Sequence, residues 1–396
     1  MAVLASEPVP ALLSASPPWL EDAAFPPPPE PDTYGYLQGK HSQSCSQPEL
    51  IDQIQRDTNK AIALVWAPDT PRAQPPEALP WLFEALRDRE RAYLKQAIRL
   101  ALINTVLFAL TLAMSAATRR GAGQFQVFLL VTLGVIPLLE QSWGLYRLPG
   151  FTPEALARRL PEARYASWLG RLRAPWSWAL LWCISAVALV QFLLGVRFLL
   201  DPAHSTIAAA GIVKPAIRAG EWWRLLTGTL LHGNVMHFVF NIIALFVLSK
   251  IVEVTFHRAY VPIVFVLAAL GGSLASLALL PDTTSVGASG GIMGLLGFVL
   301  VLAWAQRRSF PRSLQRSLLI SVVYIVLAGL LASQAIDNPA HLGGFGTGMA
   351  LGLIRLRSHP VQMPDRVSPV LMISAYLASG IILATAAGCL LLMLWR

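Results

Sequence analysis

The sequence predicts an all-α protein that crosses a membrane many times, and three observations predict it. Only 13% of the 396 residues are charged, where a soluble domain carries about 25%. Hydrophobic residues make up 55% and the mean hydropathy is +0.55. The apolar residues gather into nine stretches free of Asp, Glu, Lys and Arg: 100–118, 121–139, 174–196, 225–249, 259–280, 283–306, 317–336, 338–354 and 367–395. A helix needs about 20 residues to cross the hydrocarbon, so these read as nine spans. The stretch 338–354 is the weakest, being short, rich in glycine and carrying a histidine.

The N-terminal region, 1–95, reads differently. Of 29 prolines, 15 fall in the first 80 residues, with no sustained apolar periodicity. Residues 1 to about 45 are therefore expected to be disordered. Short helices are expected at 49–64 and 80–95, with a turn-rich segment around 68–76 between them. The first 39 residues hold no Lys or Arg, whereas an export or import signal needs basic residues there. Cys45, Cys183 and Cys389 are too widely spaced to suggest a disulfide framework or a zinc finger.

Orientation follows from charge. With nine spans and the N-terminus inside, the cytoplasmic flanks and loops hold 20 Lys and Arg and the opposite side seven, as the positive-inside rule requires. The same bias accounts for the net charge of +9, so no nucleic-acid partner is expected. Spans one and two form a hairpin, 96–145, and a cytoplasmic segment, 146–175, follows. Within it, 152–173 mixes apolar and basic residues at helical spacing behind a Thr152 cap and Pro153, a pattern expected to lie on the inner membrane surface.

Polar side chains at membrane depth are costly and mark functional candidates by default. Here they are His232, His237 and Asn241 in the fourth stretch, Ser289 in the sixth and His341 in the eighth. His237 and Asn241, at i and i+4, share one helix face and can aim at one point; interhelical hydrogen bonding explains them equally well. His232 lies about 140° around the helix from His237, which suits the loop or the first turn.

Gly287-Ala288-Ser289-Gly290-Gly291 matches the G-x-S-x-G string of the hydrolase nucleophile elbow, but that motif needs an α/β sheet around it. An apolar helix follows here instead. The local logic survives, because flanking glycines expose the hydroxyl and bring backbone N–H groups close, although a serine alone would read as a helix cap. After His341, Gly344, Gly348 and Gly352 fall on one face, the small-residue pattern of closely packed membrane helices. Gly290, Gly294 and Gly297 offer the partner surface. Both helices start on the outer side, so Ser289 and His341 are expected at one depth, within reach for nucleophilic catalysis.

No carboxylate lies inside the runs. Its absence removes a zinc protease of the H-E-x-x-H type, disfavours a paired-aspartate mechanism, and disfavours an ion-coupled carrier or channel. His232, His237 and His341 have the right donors for zinc, yet imidazole serves serine chemistry at least as well.

Together these residues resemble those of the rhomboid family of intramembrane serine proteases, over roughly 176–358. Four motifs agree in order: Gly220-Glu221-Trp222-Trp223-Arg224, His232 with His237-x-x-x-Asn241, Gly287-Ala288-Ser289-Gly290, and Ala340-His341-x-x-Gly344. The resemblance implies a six-helix rhomboid-like core, spans three to eight at 176–358, with the hairpin before it and one further span, 359–396, after it. It implies Ser289 as nucleophile and His341 as general base. His237, Asn241 and the Ser289 backbone N–H would form the oxyanion hole, and His232 would line a water-accessible cavity. Gly287, Gly290 and Gly344 would support close packing, and Trp222, Trp223 and Arg224 would sit in an outer loop at the membrane interface. Members often carry an aromatic residue four positions after the serine; Met293 stands there and can fill the space with sulfur contacts.

The expected activity is hydrolysis of a peptide bond in or near the transmembrane segment of single-span membrane proteins, with no metal and no other cofactor. The expected location is a bacterial inner membrane, with the N-terminus cytoplasmic and the site opening to the outer face. The alternative is a non-catalytic rhomboid-like factor that binds membrane proteins for quality control, which would need neither Ser289 nor His341.

Overall fold

The computed structural model describes residues 17–117, 123–198, 205–280, 282–331, 336–358 and 367–395. Of the stretch expected to be disordered, residues 1–16 lie outside these. From residue 17 the chain is folded, which corrects that expectation. β1 (Tyr34–Gln38) pairs antiparallel with β2 (His41–Cys45) and with β3 (Ile62–Trp66), in the order β2-β1-β3. No alternation announced this sheet because β2 is polar and exposed along most of its length. Its packing depends on Trp66, which lies across Gly35.

α1 (Gln47–Arg56) opens on a Ser46–Glu49 capping box. The helix expected at 49–64 stops at Arg56 because Asp57 accepts hydrogen bonds from the Ala61 and Ile62 N–H groups, at 2.8 and 2.9 Å. That turn launches the apolar run 62–66 as β3 rather than as helix, consistent with a short, buried, β-branched stretch. The helix expected at 80–95 is continuous with the first apolar stretch as α2 (Phe83–Ala117). α3 (Gln124–Leu129), a π-helical turn (Leu130–Val135) and α4 (Ile136–Arg147) return along it.

α5 (Pro153–Ala157), capped by Thr152, and α6 (Leu160–Arg171) form the segment 152–173. Its aromatic face, expected at a membrane surface, is covered by protein. Trp19, fully buried, packs edge-on against Tyr165 at 4.9 Å between ring centroids and against Trp168 at 5.1 Å. Arg164 Nε donates to the Trp19 carbonyl at 2.8 Å, and Arg164 and Arg171 both stack on Phe25. Paired this way, the long aromatic and basic side chains bury area that an isolated amphipathic helix would give to lipid.

α7 (Pro175–Phe198) begins the helical core. Its first N–H groups, at Trp176 and Ser177, are received by the buried Glu253 carboxylate at 3.0 and 2.7 Å. The fourth stretch is not one helix. After α8 (Thr206–Ala210), β4 (Ile212–Val213) and α9 (Lys214–Arg218), α10 (Arg224–Thr227) ends in a turn, and α11 (Val235–Ile251) restarts at an Asn234 cap before a π-helical turn, Val252–Phe256. α12 (Tyr260–Leu279), β5 (Thr284–Ser285), α13 (Ser289–Ala305), α14 (Arg312–Leu331), α15 (Asn338–Ser358) and α16 (Pro369–Trp395) complete the chain.

Each of the nine charge-free stretches thus contains a helix. Among the described residues, seven helices are long and apolar enough to cross a membrane; α13, at 17 residues, is a shorter apolar helix, and the glycine-rich α15 is not among the seven. The chain is an integral membrane protein. α13 is its central helix, buried on nearly every side, and α16 lays the stripe Ala375, Ala378, Ile382, Ala386, Cys389 and Met393 against the core.

Candidate active site

The site grows from a single strained glycine. β5 pairs antiparallel with β4 of the loop after α8, Ile212 opposite Ser285, and leads to Gly287, whose φ of +130° suits glycine alone. The Gly287 N–H donates to the Gly228 carbonyl at 3.0 Å. A Cβ at Gly287 would lie 2.8 Å from His237 Cε1 and 3.7 Å from Asn241 Nδ2. The peptide that leads to Ser289 therefore runs directly against the imidazole and the amide of α11.

Ser289 is the first residue of α13, so its N–H and the next ones have no partner within the helix. At about 1.5 Å per residue, 17 residues span about 26 Å, less than the ~30 Å hydrocarbon thickness. A helix of that length cannot reach both membrane surfaces.

α11 places its two side chains as their spacing predicted. Asn234 Oδ1 accepts from the His237 N–H at 2.8 Å and fixes the helix start. Asn241 follows one turn later and is buried, its Nδ2 without a hydrogen-bond partner among the described residues. His232 precedes the helix, 1% exposed, with its ring edge-on to His237 and Phe238, both at 5.3 Å between centroids. Its backbone is held from both sides by Gln191 of α7, which accepts from the His232 N–H at 2.9 Å and donates to its carbonyl at 2.7 Å.

α15 meets α13 through backbone. A methyl on Gly344 would overlap the Gly290 carbonyl, and one on Gly348 would overlap that of Gly294. A Cβ on Gly290 would stand 3.7 Å from the Ala340 carbonyl oxygen, and one on Gly272 of α12 only 2.6 Å from the same oxygen. Ser289 adjoins Gly290, and His341 adjoins Ala340, so the two side chains stand on neighbouring first turns of touching helices. His341 Nδ1 is buried and unpartnered among the described residues. Met293 is buried in the main core.

The loop between α9 and α10 divides the predicted interface trio. Trp222 and Trp223 are 58% and 48% exposed, whereas Arg224 is 2% exposed and corrects the expectation of an interfacial side chain. Its guanidinium binds Glu221 at 2.6 Å and the Ala208 and Gly211 carbonyls at 3.0 and 3.1 Å. It pins the loop from inside because three acceptors there satisfy a charge that interface water would otherwise hold.

Three polar residues, Gln191 and Glu253 buried and Asp337 half-buried, carry structure that the sequence did not announce. Gln191 sits mid-stretch and was visible by the rule that found Asn241. Glu253 and Asp337 were hidden because charge-free counting uses charged residues as boundaries. Asp337 immediately precedes α15, and its carboxylate receives the Ala340 N–H at 3.0 Å, the Ser285 hydroxyl at 2.5 Å and the Ser276 hydroxyl. Among the described residues no group of three or more His, Cys, Asp or Glu could hold a metal ion.

Chemically, the arrangement offers a hydroxyl at the positive end of a helix, an imidazole on the adjoining helix, and an unpartnered amide donor against the peptide before the serine. Such a set suits acyl transfer.

Comparison with known proteins gives a consistent result. Residues 219–358 match the family model for the rhomboid domain. The chain is 32% identical over 174 residues to RHOMBOID-like protein 4 of Arabidopsis thaliana, covering 43% of this chain and 44% of that protein. It is 30% identical over 202 residues to rhomboid protease GluP of Bacillus subtilis (strain 168), covering 50% and 39%. With the mitochondrial RHOMBOID-like protein 6 of Arabidopsis thaliana it shares 33% over 162 residues, covering 40% and 52%. The chain thus spans about half or less of the length of these curated relatives.

Proposed function

We propose that this chain, which belongs to the rhomboid family, is an intramembrane serine endopeptidase acting through Ser289 and His341. In the reaction, Ser289 Oγ attacks the scissile carbonyl while His341 takes its proton. The carbonyl oxygen, now negative, is held by Asn241 Nδ2, the His237 imidazole and the Ser289 N–H. His341 returns the proton to the leaving amine, and water, activated by the same imidazole, releases the acyl group. These steps use groups of the protein and water.

The observation that carries this reading is the Asn241 amide, buried against Gly287, two residues before Ser289, without a hydrogen-bond partner among the described residues. A buried donor left unsatisfied costs about 1–3 kcal/mol, a cost recovered when an oxyanion occupies that position. The substrate class is single-span membrane protein, since the nucleophile belongs to a membrane helix. Its segment must unwind to expose a peptide bond, which helix-breaking Gly or Pro favours. The nine-span arrangement, with the N-terminus inside and the pair opening outward, rests on the bias of 20 basic residues against seven.

The test is reconstitution of the full chain in proteoliposomes with a generic single-span substrate. Wild type is expected to cleave it and to react with a fluorophosphonate; Ser289→Ala abolishes both, and His341→Ala abolishes cleavage. A wild-type protein that neither cleaves nor labels, yet retains the substrate, would instead be a binding factor.

A further inference from the structure

Two short segments precede the proposed catalytic pair by the same distance. Ser285 stands four residues before Ser289, and Asp337 four residues before His341. Those two forerunners are bonded to each other, Ser285 Oγ donating to Asp337 Oδ2 at 2.5 Å. The same carboxylate oxygen accepts from Ser276 Oγ near the end of α12, and the other oxygen receives the Ala340 N–H at 3.0 Å. One carboxylate thereby joins β5, α12 and the first turn of α15.

The outer loop closes the network from its far side. Lys214, fully buried, donates to Thr283 Oγ1 at 2.6 Å and to Ser285 Oγ at 3.3 Å. Burial pulls its ammonium below the usual lysine range, and the Asp337 charge opposes that shift. β4, which ends beside Lys214, pairs with β5 over the same residues. The glycine contacts of α13 and α15 fix the spacing of the two helices, but smooth backbone surfaces leave sliding along the axis and rotation about it open. A multiply bonded carboxylate at the first turn removes both freedoms, because hydrogen bonds are directional.

We propose that Asp337 is a positioning residue for the Ser289–His341 pair, acting through Ser276 and Ser285 to fix the height and rotation of the first turn of α15 relative to β5 and α13. The inference rests on the proposed protease reading. His341 Nδ1 has no hydrogen-bond partner among the described residues, so the imidazole takes its placement from the helix that carries it. A carboxylate that sets the helix sets the imidazole without touching it.

The experiment uses the full chain in proteoliposomes and follows two readouts, cleavage of a single-span substrate and the rate at which a fluorophosphonate labels Ser289. Misplacing a catalytic group by about 1 Å costs roughly 10²-fold in rate. Asp337→Ala is therefore expected to lower kcat and the labelling rate by about 10- to 100-fold while KM stays within about twofold. Asp337→Asn, which keeps an acceptor for the Ala340 N–H and a polar group for the two hydroxyls, recovers most of the lost rate. Ser276→Ala with Ser285→Ala leaves the α15 cap intact and lowers kcat in the same manner, so the idea is tested even where Asp337→Ala fails to fold. The proposal is overturned if kcat is unchanged in Asp337→Ala or in the double serine variant, if KM rises in step with the loss, or if Asp337→Asn is as impaired as Asp337→Ala. Failure of the protease reading itself looks different, since wild type would then neither cleave nor label.

Discussion

Gly344 and Gly290 meet backbone to backbone: a methyl group on Gly344 would fall onto the Gly290 carbonyl, one residue from Ser289 and three from His341. Gly344→Ala is expected to push α15 away from α13 and abolish cleavage, with a lower apparent melting temperature. Gly346 lies in the same helix with nothing within 4 Å of its added Cβ, so Gly346→Ala should leave both readings near wild type. Equal behaviour of the two variants, measured side by side, would remove the close helix contact from the account.

Asn241 tests the oxyanion site. Its Nδ2 is buried and has no hydrogen-bond partner among the described residues, so Asn241→Ala removes a donor without removing a hydrogen bond seen there. The expected result is a kcat lowered by about 10² to 10³ with KM little changed, the usual loss for one oxyanion donor. A variant that loses affinity and keeps kcat would assign the amide to substrate binding instead.

Trp19 tests the docking of the N-terminal region. Its indole is fully buried between Tyr165 and Trp168, and truncating a buried Trp costs about 3–5 kcal/mol. In full-length Trp19→Ala, limited proteolysis should cut the 17–33 segment much faster than in wild type. An unchanged cutting pattern would mean that this contact contributes nothing to the attachment.

Glu253 tests the end of the core where α7 begins. Its carboxylate accepts from the Trp176 and Ser177 N–H groups and from the Ser177 hydroxyl at 2.6 Å. Hydrogen bonds to a charged group contribute about 1.5–3 kcal/mol each, so Glu253→Ala is expected to lower the apparent melting temperature in detergent markedly, with cleavage per folded molecule retained. Thermal unfolding and activity on the same preparation decide the matter, and a stability equal to wild type would contradict it.

The sequence by itself determined the membrane helices and named the residues of the candidate site. Charge-free length marks a helix in lipid because an unpartnered backbone group cannot stay in hydrocarbon, and all nine stretches contain helices. The i, i+4 relation of His237 and Asn241 needs only helix geometry, and the glycine rows around Ser289 and His341 announce close packing by composition alone. Tertiary structure decided the rest. Strands β1 and β2 carry no apolar alternation, and β1 is held in the sheet between β2 and β3, with Trp66 lying across Gly35. The face of α6 meets Trp19 rather than lipid, since a segment more than a hundred residues away covers it. Arg224 turned inward because Glu221 and two carbonyls from more than ten residues away converge on it, and Asp337 became a junction because β5, the end of α12 and the start of α15 meet there. Periodicity reports the environment of one segment, while a buried charge is tolerated only where several segments bring their partners to it.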